Sequence, residues 1–161
     1  MFSQDISLKY NPETGLAEFQ EVISVDGKSA TELYNLAQKW VINTYRNPDE
    51  VIVGDIEGET IKGSGYQRNV VVFTKTPRAI GDWKYSFKVD FKDNKARFTI
   101  FDMKCGTGLF PIENYLYKSN GELRKNAQAR NVLESITVEA NTLYVSFKSA
   151  ILQLDSNDTD W

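Results

Sequence analysis

Residues 83–104 read WKYSFKVDFKDNKARFTIFDMK, and this stretch restricts the fold more tightly than any other. Trp83, Tyr85, Phe87, Val89 and Phe91 fall on one side of an extended chain, and Lys84, Ser86, Lys88, Asp90 and Lys92 on the other. "KDNK" supplies the turn, and "KARFTIFDMK" returns as the partner strand of a hairpin. A sheet with one aromatic face must bury that face under an apolar layer.

Two amphipathic helices are available for the task. The first is expected from about Ser29, because Ser29 and Glu32 stand at the spacing of a capping box. Leu33, Leu36, Ala37, Trp40, Val41 and Tyr45 form its apolar stripe, and Pro48 in "RNPD" ends it. The second carries Val132, Leu133, Ile136, Ala140, Leu143, Tyr144, Phe147, Ala150, Ile151 and Leu154, followed by an acidic tail, "DSNDTDW", expected to fray. The expected fold is α+β: an antiparallel sheet covered by two helices in a two-layer sandwich.

Other strands are expected on either side of the helix. "LAEFQEVISV" (16–25) reads as the first strand, and "EVIVGDIEGETIKGSGY" as two strands joined near Glu57–Gly58–Glu59. "NVVVFTK" reads as a further short run, closed by a loop, "TPRAIGD". Residues 105–125 read as an irregular loop with local turns. With 161 residues, 41% of them hydrophobic, the chain can bury a core as one domain, spanning about 16–154.

In order, "GKSATELYNLAQKWVINTY", "VIVGDIEGETIKGSG" and "YSFKVDFKDNKARFTIFD" resemble the helix, Gly-rich hairpin and charged hairpin of a known family. It is the domain of unknown function with a TBP-like fold found in Bacteroidetes proteins. The resemblance covers most of 16–154 and implies a βαβ-rich sheet with a terminal helix. It also implies export behind a leader, of which "FSQ" after Met1 resembles the tail or the first mature residues. A cytoplasmic location is the alternative. The family brings no activity and no catalytic residues, and 105–125 departs from its usual run into the last helix.

Composition removes several activities. The chain has no histidine, so it lacks the side chain best suited to neutral-pH proton transfer and the commonest metal ligand. Serine or cysteine catalysis through a His base is excluded. One cysteine, Cys105, allows no internal disulfide and no Cys-x-x-Cys pair. A net charge of −3 gives no general attraction for nucleic acid. No apolar run has the length of a membrane span. No cofactor and no metal are expected, and the chain is not expected to be an enzyme.

Each feature left over admits a functional and a structural reading. "IKGSGY" lacks the Lys-Ser/Thr and helix of a phosphate loop, so Gly63 and Gly65 read as strand glycines that admit a bulge or a large neighbour. Lys84, Lys88 and Lys92, with Lys95 and Arg97 across the turn and Lys104 beyond, form a basic stripe for an anionic partner, or a solvated face diluted by Asp90, Asp93 and Asp102. The aromatic face (Trp83, Tyr85, Phe87, Phe91, Phe98) is packed core or the lining of a cavity for a small apolar ligand. Phe110, Tyr115 and Tyr117, in the irregular segment, would recognise a peptide or glycan if exposed. Asp55, Glu57 and Glu59 read as a hydrated turn. Cys105 beside Lys104 is a lowered-pKa thiol or a small buried hydrophobe. The binding residues expected are therefore Lys84, Lys88, Lys92, Arg97, Phe110, Tyr115 and Tyr117, with a protein, glycan or small ligand as partner.

Overall fold

The computed structural model of the protein describes residues 6–153; "FSQ", Leu154 and "DSNDTDW" lie outside them. Among the described residues, seven strands form one sheet: β1 (Leu8–Asn11), β2 (Leu16–Ser24), β3 (Ile52–Ile56), β4 (Thr60–Lys75), β5 (Arg78–Lys92), β6 (Lys95–Cys105) and β7 (Phe110–Pro111). Their order is β1-β2-β6-β5-β4-β3, with β7 paired to β6. The long helices are α1 (Ala30–Thr44) and α4 (Ala127–Leu152); α2 (Pro48–Val51) and α3 (Glu113–Leu116) are single turns. The α+β antiparallel architecture is the one that the aromatic hairpin requires.

The β5–β6 hairpin has the expected faces. Trp83, Tyr85, Phe87, Val89 and Phe91 are buried, as are Ala96, Phe98 and Ile100 on β6. Beyond Ile100 the buried positions become Met103 and Cys105, a change of parity that one extra residue produces. Asp102, in the left-handed region at φ 49, supplies it.

Several sequence expectations need correction. A strand, β1, precedes the one read as first; it pairs Leu8 with Phe19 and Tyr10 with Ala17. The runs read as two strands, 60–66 and 69–75, are one strand of 16 residues, β4. The loop expected at "TPRAIGD" shrinks to a turn at Thr76–Pro77, and β5 begins at Arg78. Gly81 therefore lies within β5, where an added Cβ would stand 2.8 Å from Phe73 Cε2. Pro48 does not simply stop a helix. It occupies the first turn of α2, where its missing N–H costs nothing. In α1 the buried stripe includes Tyr34, while Leu36 and Tyr45 are only half-buried. α4 starts five residues before Val132, with the Asn126 side chain accepting the Ala129 N–H at 2.8 Å in N-cap geometry. The segment 105–125 contains β7, α3 and an isolated Tyr117–Leu123 bridge.

The described chain divides into two compact units. The first comprises 6–20, 65–86 and 100–141. Here the start of α4 hydrogen-bonds the backbone of β4. The Ser135 hydroxyl accepts the Val72 N–H at 2.9 Å, and the Asn131 amide donates to the Phe73 carbonyl at 3.2 Å. These bonds tie backbone groups of β4 to side chains of α4. The Asn141 side chain both accepts from and donates to the backbone of Ile6, at 2.8 and 3.3 Å.

The second unit comprises 21–64, 87–99 and 142–153. Its centre is Trp40 of α1, whose ring meets Phe87, Phe98 and Phe147 edge-on at 5.7, 5.9 and 5.2 Å between centroids. The indole N–H donates to the Ser146 hydroxyl at 3.0 Å. Ser29 and Glu32 make both bonds of the capping box, each at 3.1 Å. The β5–β6 turn adds a further cap, because the Asp93 carboxylate accepts the Ala30 N–H at 2.9 Å. Asp93, read from sequence as a charge that dilutes the basic stripe, thus ties the hairpin to α1.

Candidate binding site on the outer sheet face

The face of β5 and β6 opposite the aromatic layer carries a shallow depression of about 150 Å³, lined by Val22, Asp90, Phe91, Lys92, Lys95 and Arg97, all in the second unit. Its walls follow from strand alternation. Asp90 and Lys92 project outward because Phe87, Val89 and Phe91 project inward, and Arg97 does so between buried Ala96 and Phe98. Val22 comes from β2, which lies beside β6 in the sheet, and is 50% exposed.

The charges are unevenly committed. Arg97 donates from Nε and Nη2 to the same oxygen of Asp90, Oδ2, at 3.2 and 3.0 Å. Lys88 stands 3.9 Å from that oxygen. Among the described residues, no ion pair involves Lys92 or Lys95. Three cations face one carboxylate in the depression, so its sign is opposite to that of the whole chain.

The expected binding residues divide accordingly. Lys92 and Arg97 come together in the depression, and Lys88 borders it through Asp90. Lys84 is exposed but, like Lys104, belongs to the first unit. Of the aromatics, only Phe110 is largely exposed, at 54%. Tyr117 is half-buried and stacks on Tyr10 at 4.1 Å. Tyr115 is half-buried against Phe73 at 5.3 Å, its hydroxyl over Gly106, so both tyrosines have packing roles inside the first unit. Sequence reasoning missed Val22. Its signal, a valine at an outward position of "FQEVIS", has meaning only once β2 is known to neighbour β6.

The remaining titratable groups are held by local structure. Cys105 is fully buried, and burial, with a smaller contribution from Glu113, pushes its thiol up to about 12. Lys104 does not activate it; the small-hydrophobe reading holds. Asp55 accepts the Tyr34 hydroxyl, with Gln38 3.0 Å from that hydroxyl, so this carboxylate links β3 to α1. Asp82 accepts the Tyr66 hydroxyl at 2.5 Å and the Asn69 N–H at 3.0 Å, and these bonds hold its carboxyl below the usual range. Among the described residues, no three His, Cys, Asp or Glu side chains gather where they could hold a metal. No helix among them is long and apolar enough to cross a membrane.

Comparison with known proteins agrees with the architecture. No curated protein matches the sequence. A DUF4468 family protein from Bacteroides ovatus superposes with a TM-score of 0.69 at 16% identity, over 85% of this chain and 86% of that one. A TBP-like protein from Parabacteroides distasonis gives a TM-score of 0.67 at 15% identity, over 85% and 93%. At such identities the likeness concerns the fold alone. The profile described as "Domain of unknown function (DUF4468) with TBP-like fold" matches residues 19–105, more than half of the chain. The chain belongs to this DUF4468 family of TBP-like domains.

Proposed function

We propose that the chain is a non-catalytic binding domain that works outside the cytoplasm and engages its partner through the depression bordered by Lys92, Lys95 and Arg97. The observation that carries the reading is the local inversion of charge beside an exposed valine, in a chain of net −3. Holding uncommitted ammonium groups close together is unfavourable, and a partner's anionic group would offset that cost. Absence of histidine and a deeply buried thiol support a non-catalytic role. Trp83, Tyr85, Phe87 and Phe98 are at most 1% exposed and stack on their own neighbours, which favours surface recognition over carriage of an apolar ligand behind the sheet. Export is the finer part of the proposal, and rests on the resemblance to exported members.

Amide chemical shifts of the ¹⁵N-labelled chain test the binding face. The probes are an acidic peptide, a neutral oligosaccharide and decanol, each titrated separately. The expected result is a set of shifts centred on Val22, Asp90, Lys92 and Lys95 with one of the polar probes. Shifts centred on Phe87 and Phe98 with decanol would favour the carrier instead, and no shift with any probe would end the binding reading. Fractionation of the native host, with N-terminal sequencing of the mature chain, checks export; a cytoplasmic chain retaining Met1 would refute that part.

A further inference from the structure

Resting on that binding face, we propose that the partner is an acidic peptide segment, which seats one apolar side chain beside Val22 and sets flanking carboxylates against Lys92 and Lys95.

Size, sign and surface chemistry select this class. Pockets that enclose small molecules run to roughly 300–1,000 Å³. A depression of about 150 Å³ holds one side chain, so it fits a chain that lies across the surface. The whole chain's negative charge opposes the approach of an extended polyanion, whereas a local excess of cations acts within a Debye length of about 8 Å. A short segment with two or three carboxylates feels the local sign more than the global one. Val22 offers an apolar wall that a fully charged polymer would leave unused, and the methylene stems of Lys92, Lys95 and Arg97 can extend that wall while their heads stay in water.

Asp90 sets the polarity within the site. By holding both Nε and Nη2 of Arg97, it makes the guanidinium a fixed border and leaves Lys92 and Lys95 as the groups available to the peptide. Lys95 stands at the hairpin turn and is exposed, so changing it leaves the buried face untouched.

The test uses the full chain and a fluorescein-labelled peptide, Asp-Asp-Leu-Asp-Asp, followed by anisotropy. The expected result is saturable binding that weakens about tenfold or more in Lys92→Glu or Lys95→Glu, and again when salt rises from about 0.05 to about 0.5 M. Val22→Ser, or a serine in place of the peptide's leucine, should weaken it several-fold. Melting curves of the variants must match the parent, so that lost binding is not lost folding. Equal binding of parent and Lys95→Glu, or of the leucine and serine peptides, overturns the inference. If a neutral oligosaccharide or a sulfated polysaccharide shifts the amides of Val22, Lys92 and Lys95 while the peptide does not, the peptide class is wrong and the binding face stands. If nothing shifts them, the binding face falls as well.

Discussion

The ring of Phe87 rests on the bare Cα of Gly63: an added Cβ would stand 2.4 Å from Cζ, 2.6 Å from Cε1 and 3.1 Å from the Val51 carbonyl oxygen. A Cβ added at Gly65 would likewise stand 2.3 Å from Tyr85 Cζ. The alternating glycines of "IKGSGY" are therefore shaped by the aromatic strand beside them, and need no bound phosphate to explain them. Each provides space that a large ring fills.

That relationship predicts that Gly63→Ala costs about 1–3 kcal/mol, because a fully buried phenylalanine must move off its seat. Gly54→Ala is the matched control on the neighbouring strand. Its nearest atoms are Lys62 carbons at 3.7 Å, ordinary contact, and the change should stay within about 0.5 kcal/mol. Urea unfolding of the two variants decides; equal midpoints would contradict the packing account.

The stack of Phe98 on Phe147, 4.7 Å apart and edge-on to Trp40, puts Phe98 at the centre of the second unit's core. Phe98→Ala should destabilise by about 3–5 kcal/mol, through lost burial and the cavity left among the remaining rings. Phe110→Ala, at a position 54% exposed, should change stability by less than about 1 kcal/mol. Thermal unfolding followed by near-ultraviolet circular dichroism would show the contrast, and comparable losses would mean that Phe110 is also a packing residue.

The capping box makes a prediction about pH. The Ser29 backbone N–H, and then its hydroxyl and Lys28, hold the Glu32 carboxyl below its ordinary 4.5. A depressed carboxyl stabilises the folded chain above its unfolded value and loses that contribution as pH falls through the folded one. Ser29→Ala should lower stability by about 1 kcal/mol at neutral pH, and the Glu32 titration should move up toward 4.5. A carboxyl-detected NMR titration of both proteins reads this directly, and an unmoved Glu32 would show that the serine side chain contributes nothing to the depression.

What the sequence made legible tracks the range of the interactions involved. The Ser29–Glu32 box, the stripe of α1 and the alternation of β5 are local patterns; the box and the alternation appear where they were read, and the stripe does so with Tyr34 added and Leu36 and Tyr45 half-buried. "NVVVFTK" and "TPRAIGD" were misread because Asn69, Pro77 and Gly81 resemble loop residues. In the fold, Asn69 lies within β4 and Gly81 within β5, packed between Phe73 and the backbone of Gly106, contacts that no local pattern reveals. β1 escaped notice because four residues carry too little period, and its place depends on pairing with β2. The candidate site was half legible for the same reason. Lys92, Lys95 and Arg97 follow from the hairpin, whereas Val22 joins them only because β2 crosses over to lie beside β6. Tyr115 and Tyr117 looked like free loop aromatics until Phe73 of β4 and Tyr10 of β1 supplied their packing partners.

Cys105 and Tyr34 contribute to the alkaline limit of stability, alongside Tyr66, Tyr115, Tyr117 and Tyr144, whose phenols are also raised. Burial first, then Glu113, raises the thiol from 9.0 to about 12. Burial first, then the bond to Asp55, raises the Tyr34 phenol from 10.0 to about 12. In both cases the folded chain favours the neutral form, so the contribution is fully present below the unfolded pKa and lost as pH rises toward the folded one. Stability should therefore begin to fall above pH 9.0 through the thiol, and more steeply above 10.0 as the phenol joins it. Cys105→Ala should flatten the first part of the decline and leave the second. Iodoacetamide at about pH 8 should alkylate Cys105 in urea but not in the native chain, because its reactive thiolate is suppressed by burial. Rapid native labelling, or an unchanged slope in Cys105→Ala, would mean that the thiol is reached by water and that its place in the first unit's core is looser than the packing of Met103, Cys105 and Ile112 implies.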